Sequence, residues 1–180
     1  MDKDKYDVHN YMEDVVAELI RLYQEKNPDL CCCPRCTMDI SALVLNGVKP
    51  QYIRIETKVG KLDQKLIASL EKIVNKACQQ VKDNPHHDDD FDPEKMYLEN
   101  LSERLVEQVL IEVLQERDDL DFDQDMLSII AGLVLNQVKP RYAVTDRGGA
   151  YMRLAELEHQ FFPTTIAIIY NVLNQLEELE

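Results

Sequence analysis

The sequence predicts a mainly α-helical protein made of two repeated small units, each with a short β-hairpin between its second and last helices. Two observations predict this fold class. The segment LVLNGVKPQY at residues 43–52 recurs as LVLNQVKPRY at residues 133–142, an offset of 90 residues. Around both copies, apolar residues recur every three or four positions, which is the period of a helix that buries one face. We therefore expect two copies of one unit, packed together as a pseudo-two-fold pair.

The first helix of each unit is predicted from an apolar stripe that runs over residues 12–23 and again over residues 101–113. The second helix is predicted from about Thr37 to Asn46, with its counterpart from Leu127 to Asn136. Asparagine near a helix end, followed closely by proline, is typical of helix termination. The repeated segment thus covers a helix end and the extended chain that follows it.

A hairpin is predicted next, and it is clearest in RYAVTDRGGAYMRL, residues 141–154. Gly148 and Gly149 would supply the positive φ angles of its turn. The first copy has the weaker equivalent QYIRIETKVGKL. A last helix follows in each unit, marked by apolar residues over 66–81 and over 166–173.

The chain divides at an acidic, proline-containing segment between the two copies. We predict a first unit at residues 1–82, a linker at 83–94 and a second unit at 95–180. The HHDDD run at residues 86–90 could bind a metal in principle, but neighbouring side chains in an acidic linker rarely converge on one ion. We therefore interpret the run as solvated linker.

Composition narrows the function classes. The net charge of −14 disfavours a surface for nucleic-acid polymers, which needs clustered Lys and Arg. The chain contains no apolar run long enough for a membrane span and no signal-like start, so we expect a cytoplasmic protein without membrane contact. No Ser-His-Asp triad, carboxylate pair or phosphate-binding loop is visible, which favours a non-enzymatic role.

Four of the five cysteines lie within DLCCCPRC, at positions 31, 32, 33 and 36. In a reducing compartment, clustered thiols indicate metal binding or thiol chemistry more often than structural disulfides. A redox-active Cys36 beside Arg35 is one interpretation, because a cation and a helix start both lower a thiol pKa. The cysteines have no counterparts in the second copy, so a metal here would fasten the first unit locally.

The same segments resemble the late-competence ComFB family, whose members read C-x-C-x-x-C, then D-I-x-A-L-A-L-N, then L-P-P-R-Y. The first copy has CPRCTMDISALVLNGVKPQYI, and the second has AGLVLNQVKPRYAVTDRGGAY. Both copies depart from the family pattern in having Lys49 or Lys139 at its first proline. The resemblance implies a small, mainly helical, non-enzymatic bacterial protein that tends to dimerise. Here the second copy could replace the partner subunit, which would make the chain an intramolecular pseudo-dimer. A homodimer of two chains is the alternative.

Some members of the resembled family bind zinc through cysteines. Cys31, Cys33 and Cys36 match the family spacing, while Cys32 is an additional neighbour that could replace one of them. A fourth zinc ligand is needed for a closed tetrahedral site, and Cys78 on the last helix of the first unit is the candidate. The alternative for Cys78 is a small hydrophobic core residue.

Other family members are receptors for cyclic dinucleotides such as cyclic di-GMP or cyclic di-AMP. Such a ligand needs Arg or Lys for its phosphates and planar groups for its purines. The second copy is the stronger candidate for the ligand site. The alternative function is a protein–protein interaction module that is stabilised by zinc, has no small-molecule ligand and binds an unknown protein target. The candidate ligand residues are Lys139, Arg141, Tyr142, Arg147 and Arg153 in the second copy, and Lys49, Tyr52 and Arg54 in the first.

Overall fold

The computed structural model describes residues 6–57, 64–85, 92, 94–117 and 122–178, with the backbone alone over 147–159. The described residues form six helices and four short strands. The first unit contains β1 (Val8–Asn10), α1 (Tyr11–Lys26), α2 (Pro34–Gly47), β2 (Tyr52–Arg54) and α3 (Gln64–Asp83). The second unit repeats this order with β3 (Tyr97–Asn100), α4 (Leu101–Glu116), α5 (Gln124–Leu135), β4 (Tyr142–Thr145) and α6 (Arg147–Glu177). The predicted mainly helical, duplicated fold is confirmed.

Equivalent side chains start equivalent helices. Asn10 caps α1 and Asn100 caps α4, each accepting a hydrogen bond from the backbone N–H two residues later. Cys33 caps α2, and Asp123, at the same position in the second unit, caps α5. These caps explain why α2 and α5 begin about three residues before their predicted starts, because a cap satisfies backbone N–H groups of the first turn.

Each unit has one two-stranded antiparallel sheet, but its strands pair differently from the prediction. β2 pairs with β1, which precedes the first helix, and β4 pairs in the same way with β3. The predicted hairpin between the second and last helices is therefore corrected to a pairing across α1 and α2, or across α4 and α5. Gly148 and Gly149 lie in the first turn of α6, and no glycine among the described residues has positive φ.

Each hydrophobic core contains side chains of the opposite unit, among them the tyrosine of the repeated segment. Tyr52 of the first unit lies in the core made mainly by α4, α5 and α6, and Tyr142 of the second unit lies in the core made by α1, α2 and α3. Both side chains are buried. The two units are thus packed on each other, and each core is completed by the other unit.

Within the part of the chain that the structure describes, no helix combines the length and the apolar character needed to cross a membrane. The HHDDD run and most of the predicted linker lie outside the described residues.

Candidate functional site

The junction between the units is organised by the two exchanged tyrosines. The Tyr142 hydroxyl donates to Glu13 Oε1 at 2.6 Å and accepts from Asn10 Nδ2 at 2.9 Å. The equivalent bonds on the other side join the Tyr52 hydroxyl to Glu103 and Asn100, at 2.5 and 2.9 Å. Each phenol therefore has a donor and an acceptor supplied by the opposite unit, which a buried hydroxyl requires.

The backbone of each tyrosine is held as well. Asn46 Oδ1 accepts from the Tyr142 N–H at 2.6 Å, and Asn46 Nδ2 donates to the Tyr142 carbonyl at 2.8 Å. Asn136 makes the same two bonds to Tyr52, at 2.7 and 3.0 Å. The repeated segment LN-x-x-x-P-x-Y is thus a reciprocal clasp, in which the asparagine of one unit binds the tyrosine of the other.

Burial raises the pKa of the Tyr52 phenol far above its usual range, and the Glu103 carboxylate raises it further. The pKa of Tyr142 is raised in the same way, first by burial and then by Glu13. Both phenols therefore stay protonated across physiological pH, which keeps them able to donate to the glutamates.

A cavity of about 280 Å³ lies at the junction, and equivalent residues of β1 and β3 line it from the two sides. Its charged wall residues include the carboxylates of Glu13, Glu99 and Glu103 and the guanidinium of Arg104. Because carboxylates predominate among these groups, the cavity disfavours a phosphate-bearing ligand.

The predicted ligand residues lie in three environments. Tyr52 and Tyr142 are buried in the junction, so their rings are covered by the opposite unit. Arg54 contacts three carboxylates: Asp7 at 3.5 Å, Asp125 at 3.0 Å and Glu56 at 3.7 Å. Lys49 and Lys139 are exposed.

Arg141 is the member of this set that lies against an aromatic plane. Its guanidinium carbon is 3.6 Å from the centroid of the Phe161 ring, and partial burial lowers its pKa below the usual arginine value. Arg147 begins α6, and its side chain, like that of Arg153, lies outside the described residues.

The sulfur atoms of Cys31, Cys33 and Cys36 all lie within 4.8 Å of one another, which is close enough to hold a metal ion. A tetrahedral zinc with Zn–S bonds of about 2.3 Å places its sulfurs about 3.8 Å apart, so the cluster needs only a small contraction. Cys32 is exposed and directs its sulfur to the Leu30 carbonyl at 3.5 Å. The structure therefore selects Cys31 and Cys33, and not Cys32, as members of the cluster.

Backbone groups at the start of α2 orient these sulfurs. The Cys36 N–H donates to Cys33 Sγ at 3.4 Å, and the Cys33 N–H donates to Cys31 Sγ at 3.5 Å. Burial acts to raise the pKa of Cys33, but the hydrogen bonds from Cys36 and Cys31 outweigh it and lower the pKa below the usual thiol value. For Cys36, burial raises the pKa, and the neighbouring thiols of Cys33 and Cys31 raise it further.

Cys78 lies on α3 and faces the same region as the cluster. It lines a cavity of about 200 Å³ together with Cys31 and Cys36, although its sulfur does not belong to the group within 4.8 Å. Burial raises its pKa to about 11. The structure thus places the predicted fourth ligand across a cavity from two of the clustered cysteines.

The sequence model of the late competence development protein ComFB matches the chain twice, over residues 9–85 and 99–177. The protein belongs to the ComFB family. The two matches are the two structural units, so the chain carries the ComFB domain in tandem. At a significant level, the chain matches neither a curated protein nor a solved structure.

The ComFB units also contain residues of the junction that the sequence interpretation did not assign to a site. These are the polar partners of the tyrosines: Asn10, Glu13 and Asn46 in the first unit and Asn100, Glu103 and Asn136 in the second. All three pairs are identical across the offset of 90 residues. Identity at polar positions beside apolar stripes was the signal that could have identified the clasp.

Proposed function

We propose that this tandem ComFB protein is a non-enzymatic cytoplasmic regulator whose first unit holds one structural zinc ion. The observation that carries the proposal is the convergence of Cys31, Cys33 and Cys36 at the capped start of α2. Cys78, across the adjoining cavity, is the proposed fourth ligand. Bound there, zinc would fasten the start of α2 to α3 and so stabilise the first unit.

The second unit supports a structural role for the metal over a catalytic one. At the position of Cys33 it has Asp123, whose carboxylate accepts from the Met126 N–H at 2.8 Å and caps α5 without a metal. The same helix start is thus built with or without cysteines. A zinc ion in the first unit would therefore add a cross-link to a helix start that forms without metal in the second unit.

Metal analysis of protein purified without chelator tests the zinc proposal. We expect one zinc per chain in the wild type and in Cys32→Ser, because Cys32 points away from the cluster. Cys36→Ser should lose zinc, since it removes a buried member of the cluster. Equal zinc content in Cys36→Ser and Cys32→Ser, or no zinc in the wild type, would contradict the site.

The role of Cys78 is tested separately by Cys78→Ala. If the thiol is the fourth ligand, this variant binds zinc more weakly than the wild type in competition with a chromophoric chelator. If Cys78 is only a small core residue, the variant loses stability but keeps its zinc affinity.

The second candidate function is a receptor for a cyclic dinucleotide such as cyclic di-GMP or cyclic di-AMP. Arg141 stacked on Phe161, close in sequence to the exposed Lys139, favours it. A guanidinium on an aromatic plane offers both a phosphate partner and a flat surface for a purine. The first unit has Gln51 at the position of Arg141, so a ligand should prefer the second unit.

Calorimetric titration with each nucleotide tests this candidate. Arg141→Gln gives the second unit the residue that the first unit has, so it should abolish binding, while Arg21→Gln on the exposed face of α1 should not. Absence of heat with either nucleotide would favour the other class of function, an interaction module with a protein target. Affinity capture with the wild type and Lys139→Glu would then locate the target surface.

A further inference from the structure

The residues of the clasp do not decide which units pair with each other. Each unit has a tyrosine that inserts into the opposite unit. Each unit also has the asparagines and the glutamate that bind the inserted tyrosine. A first unit could therefore receive the tyrosine of another first unit with the same set of hydrogen bonds. Selection between pairings must come from contacts that the two units do not share.

Several such contacts cross the junction, including the packing of Tyr6 and Val8 in the core of the second unit. The Arg54 Nη2 atom on β2 lies 3.0 Å from Asp125 Oδ1 on α5, and the Asp7 N–H donates to Ser128 Oγ at 3.1 Å. The residues 90 positions before Asp125 and Ser128 are Arg35 and Met38. If another first unit took the place of the second unit, Arg54 would meet an arginine and the Asp7 N–H would meet a thioether.

Asp7 and Glu56 contact Arg54 from within the first unit, so their effect is the same in every pairing. Arg35 is bound by Asp39 at 3.1 Å within α2, and the residue at the position of Asp39 on α5 is Ile129. In a pair of first units, Arg54 would therefore face an Arg35–Asp39 ion pair without net charge, whereas in the native pairing it faces the carboxylate of Asp125. The charge difference between the pairings is thus the loss of the Arg54–Asp125 attraction.

The second unit has Val144 at the position of Arg54. A pair of second units would therefore place an apolar side chain beside Asp125, with no charge attraction and no charge repulsion. Only the first unit therefore distinguishes between the two possible partners by charge.

We propose that Arg54 is a pairing-specificity residue, which makes the first unit select the second unit over another copy of itself. If two chains paired first unit with first unit and second unit with second unit, both Arg54–Asp125 attractions would be lost, and the Arg35–Asp39 ion pairs met instead carry no net charge. Each exposed charge pair contributes little, but the two together correspond to a preference of about fivefold. The chain consequently closes on itself and avoids linking to other chains through first units.

The experiment uses the full chain with a protease site inserted within residues 86–91, cleaved after folding. Native mass spectrometry then measures the three combinations of halves once they have equilibrated at low salt. In the wild type, we expect mixed pairs well above their statistical proportion. Arg54→Asp turns both attractions to Asp125 into repulsions and leaves the Arg35–Asp39 ion pair without net charge, so pairs of first units should rise by roughly tenfold.

Arg21→Asp is the matched control, because it makes the same change of charge on α1, where the arginine contacts Glu18 and Glu25 of its own helix. It should leave the distribution of pairs unchanged. Adding Asp125→Arg to Arg54→Asp should restore mixed pairs, and Asp125→Arg alone should deplete them, which provides a second test if Arg54→Asp fails to fold. A statistical mixture in the wild type, or equal distributions for Arg54→Asp and Arg21→Asp, would overturn the proposal.

Discussion

The tyrosine junction and the cysteine loop differ in how far their residues are repeated in the two units. At the junction, the tyrosine, its two asparagines and its glutamate are identical in both units and make equivalent bonds in both directions. In the cysteine loop, the residues are different, and only the capping position is shared, with Cys33 in one unit and Asp123 in the other. The repeated residues hold the units together, whereas the residues that differ give the first unit a property of its own.

The largest expected effect is the removal of an exchanged ring. Tyr52→Ala should lower the free energy of unfolding by about 3–5 kcal/mol, because it deletes a buried aromatic side chain and leaves a cavity. Tyr142→Ala should cost a similar amount, since its surroundings are equivalent. Urea denaturation followed by circular dichroism measures both losses.

Tyr52→Phe is the matched control for that truncation, because it keeps the ring and removes the hydroxyl that bonds to Glu103 and Asn100. We expect it to retain most of the stability lost in Tyr52→Ala. If the two variants were equally stable, the ring would not be completing the core of the second unit.

Alkaline pH should act on both sides of the junction together. The folded pKa values of Tyr52 and Tyr142 lie above the ordinary value of 10.0, so their contribution is present below about pH 10 and is lost as the pH rises above it. At pH 11, each tyrosine should cost about 1.4 kcal/mol, because the unfolded chain ionises while the folded one does not.

The measurement is the free energy of unfolding at pH 8 and at pH 11, for the wild type and for a variant with both tyrosines changed to phenylalanine. The double variant should lose less stability between these two pH values. Equal losses would assign the alkaline transition to other groups.

The asparagine clasp should come next in size. Asn136→Ala removes both partners of the Tyr52 backbone and should cost about 1–3 kcal/mol, as is usual for a buried polar group left without a hydrogen bond. Asn46→Ala should be similar. Asn75→Ala, at an exposed position on α3, is the control and should lie close to the wild type in the same denaturation experiment.

The smallest expected effect is the loss of a helix cap. Asp123→Ala should cost about 1 kcal/mol, the usual value for a lost N-cap. In the metal-free protein, Cys33→Ala should cost less, because a thiol is a weak hydrogen-bond acceptor. With zinc present, this order should reverse in thermal unfolding, and an unchanged order would contradict a metal bound by Cys33.

The helices could be predicted from the sequence because their apolar period is local. The strand partners could not be predicted in the same way. β1 has only three residues, and its partner β2 follows two intervening helices, so no local turn signals the pairing. The Gly148–Gly149 pair was misleading for the same reason, because a glycine pair has the same appearance in a turn and in the first turn of a helix.

The candidate site was partly predictable as well. The spacing of Cys31, Cys33 and Cys36 indicated a shared site, since a tight loop before a helix necessarily brings them close. The sequence singled out Tyr52 and Tyr142 as candidate ligand residues, and the structure buries both in the opposite unit. Burial of that kind depends on contacts between residues 48 to 132 positions apart, which the local pattern does not contain.

The reciprocal clasp has a consequence for folding kinetics. Its bonds join residues separated by 84 and 96 positions along the chain, so they form only after a large loop has closed. Because each core contains a side chain from the opposite unit, neither core is complete while the units are apart. The two halves should therefore unfold in one cooperative transition, with coincident curves for probes in either unit. A duplicated sequence has in this way become a single folding unit.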